Sequence, residues 1–169
     1  FEHPYLTLKP EFEARQIEIF GEMAKKGYIY KGLKPVYWCP DCRTALAEAE
    51  IEYGEDECDS IFVRFHVSQD PNGVLAKYGI PMDKTYFVIW TTTTWTLPAN
   101  EAICLNGQFE YSFVKIGAEY HIMATELVKS VMDACHIENY EIVGQPVSGA
   151  EFELMRYHHV YLPKEGTVI

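Results

Sequence analysis

An α+β domain with a mixed sheet, strongly bent or closed into a β-barrel, and peripheral helices is the fold this sequence predicts, on three observations. Apolar residues fill 48% of the 169 positions and aromatic residues 14%, enough for a proper core and incompatible with general disorder. Segments rich in β-branched and aromatic residues recur at 60–67, 86–90, 111–116 and 119–123, each bounded by turn-forming residues. Helical periodicity is confined to two or three stretches, so strands dominate a chain too short for two ordinary domains.

The first predicted element is a helix from Lys9 to Lys26. Phe12, Ile17, Ile19, Phe20 and Met23 fall mostly on one side of it, with Glu11, Glu13, Arg15, Lys25 and Lys26 elsewhere, and Gly27 follows as a stop. From Gly27 to Trp38, glycines and a proline punctuate aromatic, extended residues, the pattern of a connector. Cys39-Pro40-Asp41-Cys42 then presents two thiols on one tight turn, half of the four ligands that a structural zinc takes. No second C-x-x-C is present, and no βαβ pattern surrounds this one to suggest a redox motif. Cys58, Cys104 and Cys135 stand alone and are expected to be buried small hydrophobes.

Ala47, Ala49, Ile51 and Tyr53 alternate with Glu48, Glu50 and Glu52, which predicts a strand with one acidic, solvated face. A polar turn at 54–59 leads to a strand at 60–67, and a short helix is expected over 73–78, ended by Gly79 and Pro81. The run 86–90 has no polar interruption and is predicted to be a strand buried on both faces. After a turn at Pro98 and Asn100, another apolar run begins at Glu101. Residues 111–123 read as a β-hairpin turning at Gly117-Ala118. A helix over 125–134 is preceded by residues able to cap it, and a short strand at 140–143 is followed by breaks at Gly144, Pro146 and Gly149. His121, His136, His158 and His159 have no partner at metal-binding spacing and are expected to be ordinary surface or core histidines.

The net charge of −11 excludes a protein that coats nucleic acid through a broad basic face, while leaving room for a pocket holding one nucleotide end. No apolar run is long enough for a transmembrane helix, no charged-then-apolar leader opens the chain, and five cysteines favour reduced thiols. The expected compartment is the cytosol, with no membrane partner. A first residue other than Met and a closing 165–169 that resembles the opening of a β segment give the expectation of a piece of a longer chain.

Chemistry concentrates in Trp90-Thr91-Thr92-Thr93-Thr94-Trp95-Thr96-Leu97-Pro98-Ala99-Asn100, where an apolar strand runs into a row of hydroxyls. Each hydroxyl gives one hydrogen bond and takes two, so such a row can grip a ribose diol or a bound water. The alternative is that threonines simply favour strands.

This stretch resembles the threonine-rich peptide of the editing domain in isoleucyl-tRNA synthetases, Trp-Thr-Thr-Thr-Pro-Trp-Thr-Leu-Pro-Ala-Asn, departing only at Thr94, where the family has proline. Lys34 to Cys42 and Thr44 to Tyr53 are similar to the same family's entry into that inserted domain. The resemblance implies hydrolysis of valine wrongly joined to the terminal adenosine of isoleucine tRNA. A pocket tells these amino acids apart by one methylene, worth about 1–3 kcal/mol, and the isoleucyl enzymes are themselves the standard instance of that limit. It further implies that Thr91, Thr92 and Thr93 line the pocket, that Trp90, Trp95 and Thr96 shape its walls, and that Asn100 fixes the loop or touches the substrate. No nucleophile and no cofactor is required, since positioned hydroxyls and backbone groups can orient a water.

The same resemblance divides the chain into a stem at 1–45, leading from the synthetic core and carrying the half zinc knuckle, and the N-terminal part of the editing domain at 46–169. Zinc would be completed by a second C-x-x-C elsewhere in the full-length protein, and ATP with magnesium would serve a synthetic domain whose HIGH and KMSKS signatures this sequence lacks. The family's His-Thr-Ala-Pro-Gly-His-Gly editing segment and its following Asp are missing too, so the piece is expected not to edit by itself. Its partners would be isoleucine tRNA and the remainder of the synthetase chain. Two other readings remain: an editing domain of a valyl or leucyl relative, against which Trp95 and the Leu97-Pro98-Ala99-Asn100 ending count, and a non-catalytic zinc-ribbon binding module built on Cys39 and Cys42.

Overall fold

The computed structural model describes residues 4–169, which form two compact units that part between Glu55 and Asp56. The division expected after residue 45 falls within the first unit. In that unit α1 (Pro10–Lys25) begins with proline at its first turn, beside Glu11 and Glu13. Proline costs nothing there because that N–H has no helical partner, and the two carboxylates favour the positive end of the helix dipole. Gly27 at φ +77° ends the element. No residue of α1 is buried.

β1 (Trp38–Cys39) pairs antiparallel with β2 (Thr44–Ala45), so the C-x-x-C turn sits at the tip of a two-stranded ribbon. The strand expected over 47–53 does not form. The Glu50 carboxylate takes the Ala47 N–H at 2.8 Å, a 3-10 turn spans Glu48–Glu50, and the chain then runs irregularly to Ser60. Alternation alone makes no strand when the backbone has no neighbouring strand and a side chain can satisfy it locally.

The second unit is one mixed eight-stranded sheet. It contains β3 (Ile61–Gln69), β4 (Thr85–Thr91), β5 (Ala102–Ile103), β6 (Glu110–Ile116), β7 (Glu119–Ala124), β8 (Glu141–Ser148), β9 (Arg156–His158) and β10 (Glu165–Val168). Their order is β5-β10-β9-β3-β4-β7-β6-β8, with β4–β7 and β5–β10 parallel and the other pairs antiparallel. The α+β class holds, but the sheet is open and not closed into a barrel. One edge, β5, is only two residues long. The other, β8, runs through the predicted breaks Gly144 (φ +74°) and Pro146, with a register slip against β6 between Tyr111 and Phe113. An edge strand tolerates a proline because one side of its backbone needs no partner, and the bulge bends the strand.

Strand alternation sorts the residues onto two faces. Val63, Phe65, Val67, Phe87, Phe113, Ile122 and Val147 point into the main core, which α2 (Val74–Lys77) and residues 149–155 cover. Phe152 is fully buried and lies edge-on to Phe87, Tyr111 and Phe113 at 5.9–6.1 Å, geometry that suits their ring quadrupoles. Asp70 opens α2 by accepting the N–H groups of Val74 and Leu75 at 3.0 and 2.7 Å. On the opposite face, Val114 and Met123 pack under α3 (Val128–Ala134). The expected side-chain cap of α3 is absent, because its N-cap position falls on Leu127, which has no acceptor, while the Thr125 hydroxyl lies 2.9 Å from Ser112 Oγ. α3 covers only part of this face. β4 is therefore not buried on both sides as expected: Phe87 is buried, Val88 and Ile89 are half-buried, and Trp90 is exposed.

Residues 111–123 form the predicted hairpin, turning at Gly117 with φ +60°. All five cysteines are free thiols. Cys58 and Cys104 are exposed and Cys135 half-buried, contrary to the expected burial. Cys104 follows the edge strand β5, and Cys58 lies in the irregular run before β3, so neither meets a covering layer. Among the described residues, no helix is long and apolar enough to cross a membrane.

Candidate functional site

β4 delivers the threonine segment to its place. Antiparallel pairing with β3 extends to Phe62↔Trp90 and Ile61↔Thr91, and the chain then leaves the sheet. Residues Thr94–Ala99 wind into a 3-10 run with Pro98 inside it. Trp90 and Thr91 are consecutive in an extended strand and so face opposite sides of the sheet. Trp90, 60% exposed, donates Nε1–H to Ser60 Oγ at 2.7 Å. Trp95, at the start of the 3-10 run, is 74% exposed.

The hydroxyls are partly used in shaping their own turn. Thr91 Oγ1 accepts the Thr93 N–H at 3.0 Å and lies 3.2 Å from Thr93 Oγ1. Thr96 donates its hydroxyl to the Thr93 carbonyl at 2.7 Å. Thr92, half-buried, and Thr94, exposed, bond through their side chains to no other described group, which leaves both hydroxyls open to a ligand. Thr91, Thr93 and Thr96 are thus drawn into one hydrogen-bonded turn with Thr92 inside it, while Trp90 points to the other face.

Tyr157, and His159 with its ordinary-looking sequence setting, hold the far end of this segment. Tyr157 of β9, fully buried, donates its hydroxyl to Asn100 Oδ1 at 2.6 Å, and Asn100 Nδ2 donates to the Ala102 carbonyl at 3.1 Å. Burial pushes the Tyr157 hydroxyl up to about 12, so it remains a donor throughout the neutral range. His159 accepts the N–H groups of Tyr161 and Leu162 on Nδ1, at 3.3 and 3.1 Å. Its Nε2 therefore carries the proton and donates to the Leu97 carbonyl at 2.7 Å. Lys164 pairs with Glu101 at 2.6 Å, and that hydrogen bond keeps the Glu101 carboxyl below its ordinary range. The available signal was the close grouping of Tyr157, His159 and Lys164 before the last strand, but nothing local says where they reach. Of the other histidines, His121 is buried and His158 stacks on His66 at 5.7 Å.

In the first unit, the Cys42 N–H donates to Cys39 Sγ at 3.3 Å, and this backbone bond is the main influence holding the Cys39 thiol below its ordinary value. A thiol primed toward thiolate on a tight turn fits half of a zinc site. Among the described residues, no group of three or more metal-ligating side chains comes together.

Residues 1–157 match the family model for tRNA synthetases class I (I, L, M and V). An isoleucine–tRNA ligase of Caldicellulosiruptor bescii is 55% identical over 169 residues, all of this chain and 18% of the relative. One from Thermoanaerobacter pseudethanolicus is 53% identical over 172 residues, and one from Lactobacillus helveticus 50% over 169, again across all of this chain and 18% of each relative. The chain therefore spans under a fifth of the length of these curated relatives. A solved structure of the CP1 domain of a leucyl-tRNA synthetase, GlLeuRS-CP1, superposes with a TM-score of 0.54 over 66% of this chain and 48% of that one. At 15% identity, it bears on the fold alone.

Proposed function

The chain belongs to the class I tRNA synthetases of the I, L, M and V group, and from that membership we propose that it forms part of the editing domain of an isoleucyl-tRNA synthetase. In the full-length enzyme, that domain would hydrolyse the ester joining valine to the terminal adenosine of isoleucine tRNA. What carries this reading is the threonine segment at the end of β4, a row of hydroxyls fixed at both ends and set beside 3-10 backbone.

In this reading Thr92 meets the ribose or the attacking water, and Thr91, Thr93 and Thr96 hold the turn that aims it. Asn100 anchors the loop, and Trp95 forms an exposed wall against which the adenine can stack. Trp90 buttresses the end of β4 from the other face. Rate enhancement then comes from positioning rather than a covalent intermediate. The 169 residues contain no His-Thr-Ala-Pro-Gly-His-Gly segment, so the reading gives them one wall of the pocket and assigns turnover to the full-length enzyme. Cys39 and Cys42 would supply two ligands to a structural zinc, the rest coming from elsewhere in the protein. ATP and magnesium would act in the synthetic domain, and isoleucine tRNA would be the partner of both activities.

The test is deacylation of valylated isoleucine tRNA by the full-length enzyme bearing Thr92→Ala or the triple replacement of Thr91, Thr92 and Thr93 by Ala. The expected result is a loss of about tenfold for the single change and more for the triple, with isoleucylation intact. Unchanged deacylation in the triple variant would refute the assignment.

A further inference from the structure

On the α3 face of the sheet lies a cavity of about 260 Å³ that none of the threonine-segment residues lines. Its walls are apolar: Phe62, Val88, Met123, Val131 and Ile137 are among them. At the usual share of about 30 Å³ per water, it has room for roughly nine waters, or for an aliphatic side chain with its polar end at the rim.

That rim holds one cation and one anion. Arg64 Nη1 donates to Glu119 Oε2 at 2.5 Å and reaches His121 Nε2 at 3.3 Å, while the guanidinium carbon sits 4.8 Å from the centre of the Tyr86 ring. The guanidinium is thus held from three sides by one nitrogen and one face. Its Nη2 and Nε, the edge that grips a carboxylate bidentately, bond to no described residue. Burial is the largest single influence on Glu119 and opposes its charge, but the hydrogen bond and charge of Arg64, with smaller help from Tyr86 and His121, together outweigh it and keep that carboxyl below its ordinary range. Burial, followed by the Arg64 charge, lowers His121, which is 4% exposed and has Nδ1 without a hydrogen-bond partner. The rim therefore carries one positive and one negative charge above an apolar chamber.

We propose that this cavity binds a free apolar α-amino acid, its carboxylate on the open edge of Arg64, its ammonium on Glu119 and its side chain in the chamber. Charge complementarity selects the zwitterion. A simple carboxylate would be repelled by Glu119, and a simple amine by Arg64, whereas a zwitterion meets an opposite charge at each end.

Cys135 lines the same cavity and is half-buried, while Cys58 and Cys104 are exposed and outside it. The test follows alkylation of these three thiols by iodoacetamide in the full-length enzyme, by peptide mass spectrometry. L-leucine is the probe, because valine and isoleucine take part in the proposed reaction itself. Leucine should slow Cys135 saturably by about threefold or more, with affinity on the order of millimolar, and leave Cys58 and Cys104 unchanged. Arg64→Gln and Glu119→Gln should each raise the half-saturating concentration about tenfold, and Ile137→Trp, which adds bulk to the lining, should remove the effect. A Cys135 rate without leucine and a urea midpoint both close to those of the unmodified enzyme report that the fold of each variant is intact. No slowing of Cys135 at about 20 mM leucine would overturn the proposal. So would equal protection by 4-methylpentanoate or isopentylamine, each of which lacks one of the two charges.

Discussion

The Tyr157 hydroxyl donates to Asn100 Oδ1 at 2.6 Å, tying the end of the threonine segment to a residue 57 positions later in the chain. Asn100 spends its amide group on the Ala102 carbonyl, so its oxygen has no other donor in this network. Tyr157→Phe keeps the ring in the core and removes only this bond. It should lower stability by about 1–2 kcal/mol, read from the urea midpoint, and reduce deacylation in the full-length enzyme about tenfold with isoleucylation unchanged. Unaltered deacylation would dissociate Tyr157 from the site.

His159 secures the same loop through its other ring bonds. His159→Phe preserves an aromatic ring but leaves the Leu97 carbonyl and two backbone N–H groups without partners. A loss of about 1–3 kcal/mol is expected in chemical denaturation. Combined with Tyr157→Phe, the losses should be less than additive, because both changes release one loop.

Alkaline pH offers a reading of the Tyr157 environment without mutation. An unfolded tyrosine ionises near pH 10, while the buried one holds its proton to about 12. Between those values the unfolded state binds fewer protons, so stability present below pH 10 falls as pH rises toward 12, by roughly 2–3 kcal/mol. Tyr157→Phe should flatten that part of a stability-versus-pH curve.

Gly166 of β10 lies directly against the Tyr157 ring, and a Cβ at this position would collide with it. Tyr157 is fully buried beside Phe65, with ring centres 5.0 Å apart, so it cannot swing away. Gly166→Ala should therefore cost about 3 kcal/mol or more and lower the thermal midpoint by several degrees. Gly117→Ala, where the space is open but φ is positive, should cost only about 1 kcal/mol.

Much of the fold could be read from pattern. β3, β4, the β6–β7 hairpin and the helix α3 each carry a period or a turn signal that tertiary packing then confirms, and α1 forms where its period predicts although none of its residues is buried. The misreadings share one physical cause, which is that pattern does not reveal neighbours. Residues 47–53 alternate like a strand but have nothing to pair with, and residues 144–148 carry strand breakers but sit at an edge where those residues are tolerated. The threonine segment was legible because hydroxyl chemistry is written in consecutive residues. Tyr157 and His159 were not, since their importance lies in where the sheet order carries them.

The link from Asn100 to Tyr157 also sets a timetable for synthesis. At about 5–20 residues per second, a ribosome needs roughly 3–11 s to add the 57 residues between them. The parallel partner of β5 arrives later still, at Thr167 and Val168. During that interval β3 and β4 can pair, but the loop carrying Thr92 to Asn100 has no anchor, and Trp95 stands on a mobile turn. Pulse-labelled nascent chains should show this loop open to protease until β9 and β10 have emerged, and closed soon after. The wall that would read a tRNA end is among the first parts of this unit to be made and among the last to be finished.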